Sequence, residues 1–397
     1  MNPNKIVRIL YVGVSPIQNA KPFRLMKSHR EIEATVVYLK KPEVNIEKDQ
    51  ESITKAAFDI DMLSGYKYHF LKTYNKTGNG FFSLISFEII QWVRSHDVVV
   101  IYGHNYFTFW IAMIAAKIFN RKLVQTTDAI YMQATASSGG WKMKFKPLFL
   151  RTLYNRFVDG VFVTSTASKL FLQSVEIKVD KIAVIPYAVD EDVIQKISDK
   201  TNVEELKEKL GIQLTDMVFV FCAKFIPRKR PQDAIEAFAK MDTKKATLVM
   251  IGDGPMMKDL KQTVNNFGLE LKIIFTGLVK YSELPAYYTM GDALVFCSEH
   301  EPYGLPVNEA MLCGKPAIVS DRIGARLDLV AEEKTGWIYA TADVKQLTTL
   351  LNKSVVYKAN GKLAAMGEAA RQRMSTWSSQ TNLKNQLNFF KSRNWIS

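Results

Sequence analysis

At 397 residues the chain is longer than one ordinary hydrophobic core serves, and 47% hydrophobic with 23% charged residues excludes a disordered or fibrous polymer. No apolar run reaches the roughly 18 residues of a membrane-spanning helix; the nearest, Tyr106 to Phe119, is cut by Thr108 and Lys117. The net charge of +14 sits mainly in residues 1–190, which hold 25 Lys and Arg against 15 Asp and Glu, but no zinc-finger or RNA-recognition signature accompanies it, so a nucleic-acid partner is not expected.

The chain enters a strand pattern directly after Met1-Asn2-Pro3-Asn4-Lys5, without the apolar core of a signal peptide, which leads us to expect a cytoplasmic protein. Strands are predicted at Ile6–Gly13, Ala34–Leu39, Val98–Tyr102, Leu123–Thr126, Val161–Thr164 and Ile182–Pro186, with helical patterns in most gaps, the signature of a doubly wound parallel sheet. Residues 41–80 are polar and aperiodic and are expected to be irregular, before a helix from Phe82 to Arg94. Lys142, Lys144, Lys146, Arg151 and Arg156 form a stretch with no acids and with interleaved apolar residues. It is either a solvated helix or a patch lying on an anionic membrane surface, which would make the protein peripheral at the inner membrane face.

A second set of strands follows at residues 218–222, 247–251, 272–275, 293–297 and 317–319, with helices such as Gln232–Met241 and Met256–Phe267 between them. The expected fold is α/β, with Rossmann-like domains at residues 1–195 and 196–375 facing across a cleft, and a last helix in 376–397 with no assigned docking site. Open α/β sheets bind ligands at the carboxyl ends of their strands. Gly13 ends one, and His104, Lys224, Gly252 and Glu301 each follow one. Cys222, Cys297 and Cys313 lack metal-type spacing and read as reduced, buried thiols.

Residues 298–316 carry the strongest local signal. Pro306 suits a first helical turn and Gly314 before Pro316 a stop. The N–H groups near Gly304 and Leu305 then face an anion such as phosphate, with Tyr303 in the same loop. Glu301 precedes the helix and Glu309 lies on its body, although chance alone supplies about four acidic pairs at any fixed separation in a chain of this composition. The loop Ala223-Lys224-Phe225-Ile226-Pro227-Arg228-Lys229-Arg230 places four cations after a strand; it is either a solvated basic loop or a diphosphate site. Gly252-Asp253-Gly254-Pro255 lacks the third glycine of a dinucleotide loop, since Met257 stands there, and reads as a tight turn close to a nucleotide.

In the order Lys224–Lys229, Ile251–Pro255, Phe275-Thr276-Gly277, Glu301–Gly304 with Glu309-Ala310-Met311, and Thr335-Gly336-Trp337, these segments resemble the family-4 retaining glycosyltransferases of the GT-B fold, most densely over residues 216–350. The resemblance implies sugar transfer from a nucleotide diphosphate sugar to a glycan or glycolipid acceptor, in lipid-linked or surface polysaccharide synthesis. It implies neither metal nor cofactor, the nucleotide sugar being a co-substrate. By position, Glu301 would contact the donor sugar near its reacting carbon, Glu309 the ribose hydroxyls, and Lys224 and Lys229 the diphosphate. Gly13, Gly252, Tyr303, Gly304 and Leu305 would line the donor site, and Val279 would flank the base; His104, read from its place at a strand end, is either a catalytic group hydrogen-bonded to a sugar or phosphate or a satisfied structural histidine. Three positions depart from the family: Ala223-Lys224 stands for a frequent Gly-Arg, Gly13-Val14-Ser15-Pro16 lacks paired glycines, and Asp128 stands near where a second histidine is frequent. A nucleotide-sugar epimerase or phosphorylase of the same fold, and a non-catalytic sugar-nucleotide binder, are the alternatives.

Overall fold

The computed structural model describes residues 6–16, 20–41, 59–75, 80–130, 147–242 and 244–396. Lys142, Lys144 and Lys146 of the basic stretch lie outside the described residues. The chain divides into two compact units: residues 1–42, 61–189 and 378–397 form the first, and residues 43–60 and 190–377 the second.

The first unit is built on a parallel sheet of β1 (Val7–Gly13), β2 (Ile32–Tyr38), β3 (Lys67–Phe70), β4 (Val98–Tyr102), β5 (Lys122–Thr127), β6 (Gly160–Val163) and β7 (Ile182–Val184), in the spatial order 3-2-1-4-5-6-7. Strand β4 is apolar along its whole length, and β1 is so apart from exposed Arg8, because both faces of the sheet's centre are covered. In β1, Leu10 and Val12 enter one core while Ile9 and Tyr11 enter the other, as the two-residue strand period requires. The order reverses between β1 and β4, the point at which such sheets open a crevice.

The last helix, Ser379–Ser392, completes the second of these cores with Leu383, Leu387, Phe389 and Phe390. At about 1.5–3 kcal/mol for each large apolar side chain removed from water, that face contributes substantially to the unit. The helix is capped by Ser378, whose Oγ accepts from the Thr381 N–H at 3.3 Å. Asn382 and Asn385 donate to the carbonyls of Pro186 and Val184 at 2.7 and 2.9 Å. Gly160 opens β6 because a Cβ there would sit 2.4 Å from the Phe389 ring.

Two expectations fail in this unit. Residues 81–88 are not helical: Leu84 has φ +54°, Ile85 bridges Tyr74, and the helix spans only Ile89–Ser95. Thr108 holds this loop, donating from its hydroxyl to the Leu84 carbonyl at 2.7 Å and accepting from the Ser86 N–H at 2.9 Å. The polar 41–80 region, expected to be irregular, supplies β3, a four-residue edge strand with exposed Lys67 and Tyr68, paired along β2.

The second unit repeats the plan with β8 (Met217–Cys222), β9 (Ala246–Ile251), β10 (Ile273–Gly277), β11 (Ala293–Phe296), β12 (Ala317–Ser320) and β13 (Gly336–Tyr339), all parallel in the order 10-9-8-11-12-13. The sequence reading did not include β13. It adds to β12 in register from Ala317 opposite Gly336 to Ser320 opposite Tyr339. Gly336 lies so flat on its neighbour that a Cβ would meet the Ala317 carbonyl oxygen at 2.0 Å.

Candidate active site

In the second unit, the basic loop after β8 and the acidic loop after β11 meet. Pro227–Lys229 form a single 3-10 turn, and Arg230 takes the left-handed conformation at φ +49°. The Arg228 carbonyl accepts from the Glu299 N–H at 2.9 Å and the Ser298 hydroxyl at 3.0 Å, while its guanidinium donates to the His300 carbonyl at 3.2 Å. Arg230 makes a two-pronged pair with Asp233 at 2.7 and 3.0 Å and also donates to the Glu299 carboxylate at 3.3 Å.

This folding brings the Lys229 ammonium onto the Glu301 carboxylate, both largely buried, and over the Phe296 ring at 5.3 Å. Burial, with the charges of Arg228 and then Lys224, presses the Lys229 ammonium down from its ordinary value. The Glu301 carboxylate touching it favours its charged form. Burial, with the charges of Arg228 and then Lys229, lowers His300 from its ordinary value. Two of the expected site residues, 72 positions apart, are thus one ion pair.

Glu301 is anchored through its backbone, donating to the Arg322 carbonyl at 3.2 Å and accepting from the Gly324 N–H at 2.9 Å. Helix Leu305–Leu312 starts at Gly304, whose φ of +105° suits glycine and whose Cβ would press on Ile323 at 2.8 Å. Tyr303 is 3% exposed, and its hydroxyl accepts from Trp377 Nε1 at 2.7 Å and Asn308 Nδ2 at 3.1 Å. Its side chain therefore builds the loop.

Glu309 is not a surface acid; it is 5% exposed, and Tyr288 donates to its Oε2 at 2.9 Å. Burial pushes its carboxyl up to about 7, against the downward pull of hydrogen bonds from Tyr288 and Tyr281. Val279 is buried just beyond β10. At Gly252 and Gly254 the space a Cβ would take is filled by the carbonyl oxygens of Ala223, at 2.0 Å, and Phe225, at 2.5 Å. This turn therefore props the Lys224 loop from behind.

In the first unit, the carboxyl ends of the strands surround a cavity of about 520 Å³. Gly13 and His104 both line it, as does Asp128, whose carboxyl is raised by desolvation although the residue stands at an exposed rim. A Cβ at Gly13 would make only ordinary contact, 3.5 Å from the Tyr38 ring. Sequence reasoning missed Thr126, Thr164, Asn382 and Gln386, which share the cavity; Thr126 and Thr164 merely end strand patterns, and nothing local in the last helix signals where it docks. Of the basic stretch, Arg151 pairs with Glu176 and Arg156 is exposed, beside exposed Leu148, Phe149 and Phe157. No helix among the described residues is long and apolar enough to cross a membrane.

Residues 202–373 match the family model for glycosyl transferases group 1, and residues 30–193 match that for glycosyltransferase family 4. N-acetyl-alpha-D-glucosaminyl L-malate synthase of Bacillus anthracis is 30% identical over 180 residues, 45% of this chain and 46% of that protein. Alpha-monoglucosyldiacylglycerol synthase of Streptococcus pneumoniae is 32% identical over 182 residues, 44% of this chain and 41% of its own length. The chain thus spans less than half the length of these two curated relatives. Anabaena HepE, solved in complex with UDP, superposes with a TM-score of 0.73 at 19% identity, covering 97% of this chain and 100% of that one. The fold is GT-B.

Proposed function

Because the chain belongs to the family-4 glycosyltransferases, we propose that it moves a glycosyl group from a nucleoside diphosphate sugar to an acceptor hydroxyl, with retention at the anomeric carbon and without a metal ion. The observation that carries this reading is the buried Lys229–Glu301 pair, set beside Lys224 and Arg228 and next to the helix start at Gly304. A diphosphate sugar suits both halves of that pair: phosphate oxygens accept from the ammonium, and sugar hydroxyls donate to the carboxylate.

In the reaction, the bond from the anomeric carbon to the diphosphate oxygen breaks, and the acceptor oxygen bonds to that carbon on the same face. The acceptor proton passes to the departing phosphate oxygen. Negative charge grows on the diphosphate, and Lys229, Lys224 and the N–H groups of Gly304 and Leu305 are oriented to stabilise it before it forms. Tyr288 and Tyr281 hold Glu309 for the ribose hydroxyls, Val279 flanks the base, and His104 belongs to the acceptor side. Uridine is the proposed base, since HepE is described with UDP.

Thermal-shift measurements with UDP, GDP and their sugars, followed by product analysis with an added glycoside or glycolipid, test the reading. A specific shift with UDP and a new glycosidic product, undiminished by EDTA, are expected. Interconversion of donor sugars without an acceptor would make the chain an epimerase, phosphate-dependent cleavage a phosphorylase, and binding with no turnover a sugar-nucleotide binder. Peripheral membrane association is also proposed, from exposed Ile114, Ile118, Leu148, Phe149 and Phe157 together with Arg156. Sedimentation with anionic vesicles, absent with neutral ones, is the expected result.

A further inference from the structure

Helix Leu305–Leu312 is held in place by a part of the second unit that the proposed transfer has not used. Helix Lys362–Ser375 packs along it. That helix buries Leu363, Met366, Gly367, Ala370 and Met374, a stripe at the three- and four-residue spacing of a single helical face. Gly367 brings the two backbones together at one end. A Cβ there would meet the carbonyl oxygen of Gly314, just past the cap of Leu305–Leu312, at 2.1 Å.

Trp377 holds the other end. It stands just past Lys362–Ser375, is 8% exposed, and donates from its indole N–H to the Tyr303 hydroxyl at 2.7 Å. Fully buried Asn308, within Leu305–Leu312, donates to the same hydroxyl at 3.1 Å. The carbonyls of Tyr303 and Glu301 accept from the N–H groups of Ala325 and Gly324, each at 2.9 Å. Arg373 donates to the Asp328 carbonyl at 2.6 Å, and its guanidinium lies over the Trp377 ring at 5.5 Å. The end of one helix thus grips both loops that meet beside Glu301.

Gly304 makes that grip necessary. It turns the chain into the helix at φ +105°, and a glycine by itself resists rotation little. Holding Tyr303 before it and Asn308 after it fixes where the N–H groups of Gly304 and Leu305 point. A ring that only filled the core could place its N–H against any nearby carbonyl; that of Trp377 goes to the side chain preceding Gly304.

We propose that Trp377 is a positioning residue: through the Tyr303 hydroxyl it aims the N–H groups of the helix start at the departing diphosphate. The proposal rests on the transferase reading for what the helix start binds, and on the hydrogen bonds alone for the positioning. Contacts that stabilise charge only as it forms are the most sensitive to a small misplacement, so the loss should appear in turnover rather than in donor binding.

Hydrogen exchange and steady-state kinetics on the full chain test this with Trp377→Phe and Tyr303→Phe, which keep the rings and remove the donor or the acceptor of the bond. The amides of Val307, Gly324 and Ala325 bond the carbonyls of Gly304, Glu301 and Tyr303. They should exchange about five-fold faster or more in each variant while the amides of β8 keep the parent rate, which separates a loosened loop from global destabilisation. With the nucleotide sugar that the parent turns over, kcat should fall about ten-fold and the donor KM stay within about two-fold. The double variant should lie within about two-fold of the slower single one, since both changes break one contact. Melting temperatures verify folding, and Tyr303→Phe carries the test if Trp377→Phe does not fold. Parent exchange rates at the three amides in the folded variants, or an unchanged kcat, overturn the proposal. A parent that transfers no sugar loses the transferase reading instead, and exchange then decides the positioning by itself.

Discussion

The two units share a strand order yet carry opposite chemistry at the same edge of the sheet. In the second unit the loops after β8 and β11 bring together Lys224, Arg228, Lys229 and Glu301. In the first, the corresponding ends hold tyrosines, threonines and a histidine around a cavity with no described lining cation. The sheet fixes where a site can lie, and the loops decide what it binds. The glycines follow the same division. Gly252 is locked by backbone packing, a Cβ there lying 2.0 Å from the Ala223 oxygen, whereas Gly13 has ordinary room.

The largest effect should fall on the charged unit. Glu301→Gln should lower kcat/KM about 10²–10³-fold, as expected when one electrostatic contact to the reacting centre is lost, while UDP binding by calorimetry changes little. Equal turnover would remove Glu301 from the chemistry. Gly252→Ala comes next: with φ at +141° and a backbone oxygen in the way, it should cost about 3 kcal/mol or more in denaturant unfolding and weaken nucleotide binding by shifting the Lys224 loop.

Glu309 then ties stability to pH. Its folded carboxyl titrates near 7 against an ordinary 4.5, so between these values the folded chain keeps a proton that the unfolded chain has released. Stability falls as pH rises through that window and changes no further on this account above it. Glu309→Gln should remove this slope and stabilise the chain at pH 8 by about 1–3 kcal/mol, while weakening nucleotide binding; a variant destabilised at pH 8 would contradict the burial argument. Gly13→Ala should be the mildest, within about 1 kcal/mol of the parent. If it matches Gly252→Ala in cost, the contrast between the two units is wrong.

The apolar strands β1, β4, β8, β9 and β11 were legible because continuous burial leaves a continuous apolar run. Edge strand β3, Lys-Tyr-His-Phe, buries too little to leave one, and β13, though largely buried, is only four residues long and opens on a glycine. The helix expected from Phe82 begins only at Ile89, because the loop before it is held by Thr108, a residue remote in sequence. In the site, the glycine and proline punctuation around residues 304–316 located the helix start correctly. The contact of Lys229 with Glu301 and the arrival of Asn382 at Pro186 are tertiary events with no local spacing to announce them.

The return of the last helix to the first unit also has a consequence for order of assembly. During synthesis β1 through β7 emerge well before the helix that covers Ile9, Tyr11, Val100 and Phe162, so that face waits in water until Leu387, Phe389 and Phe390 arrive. The second unit, drawn mostly from residues 190–377, can close its core first. A chain halted at Trp377 should therefore show one cooperative unfolding transition from the second unit and expose a sticky apolar face on the first, making the final twenty residues the step that commits the first unit to its fold.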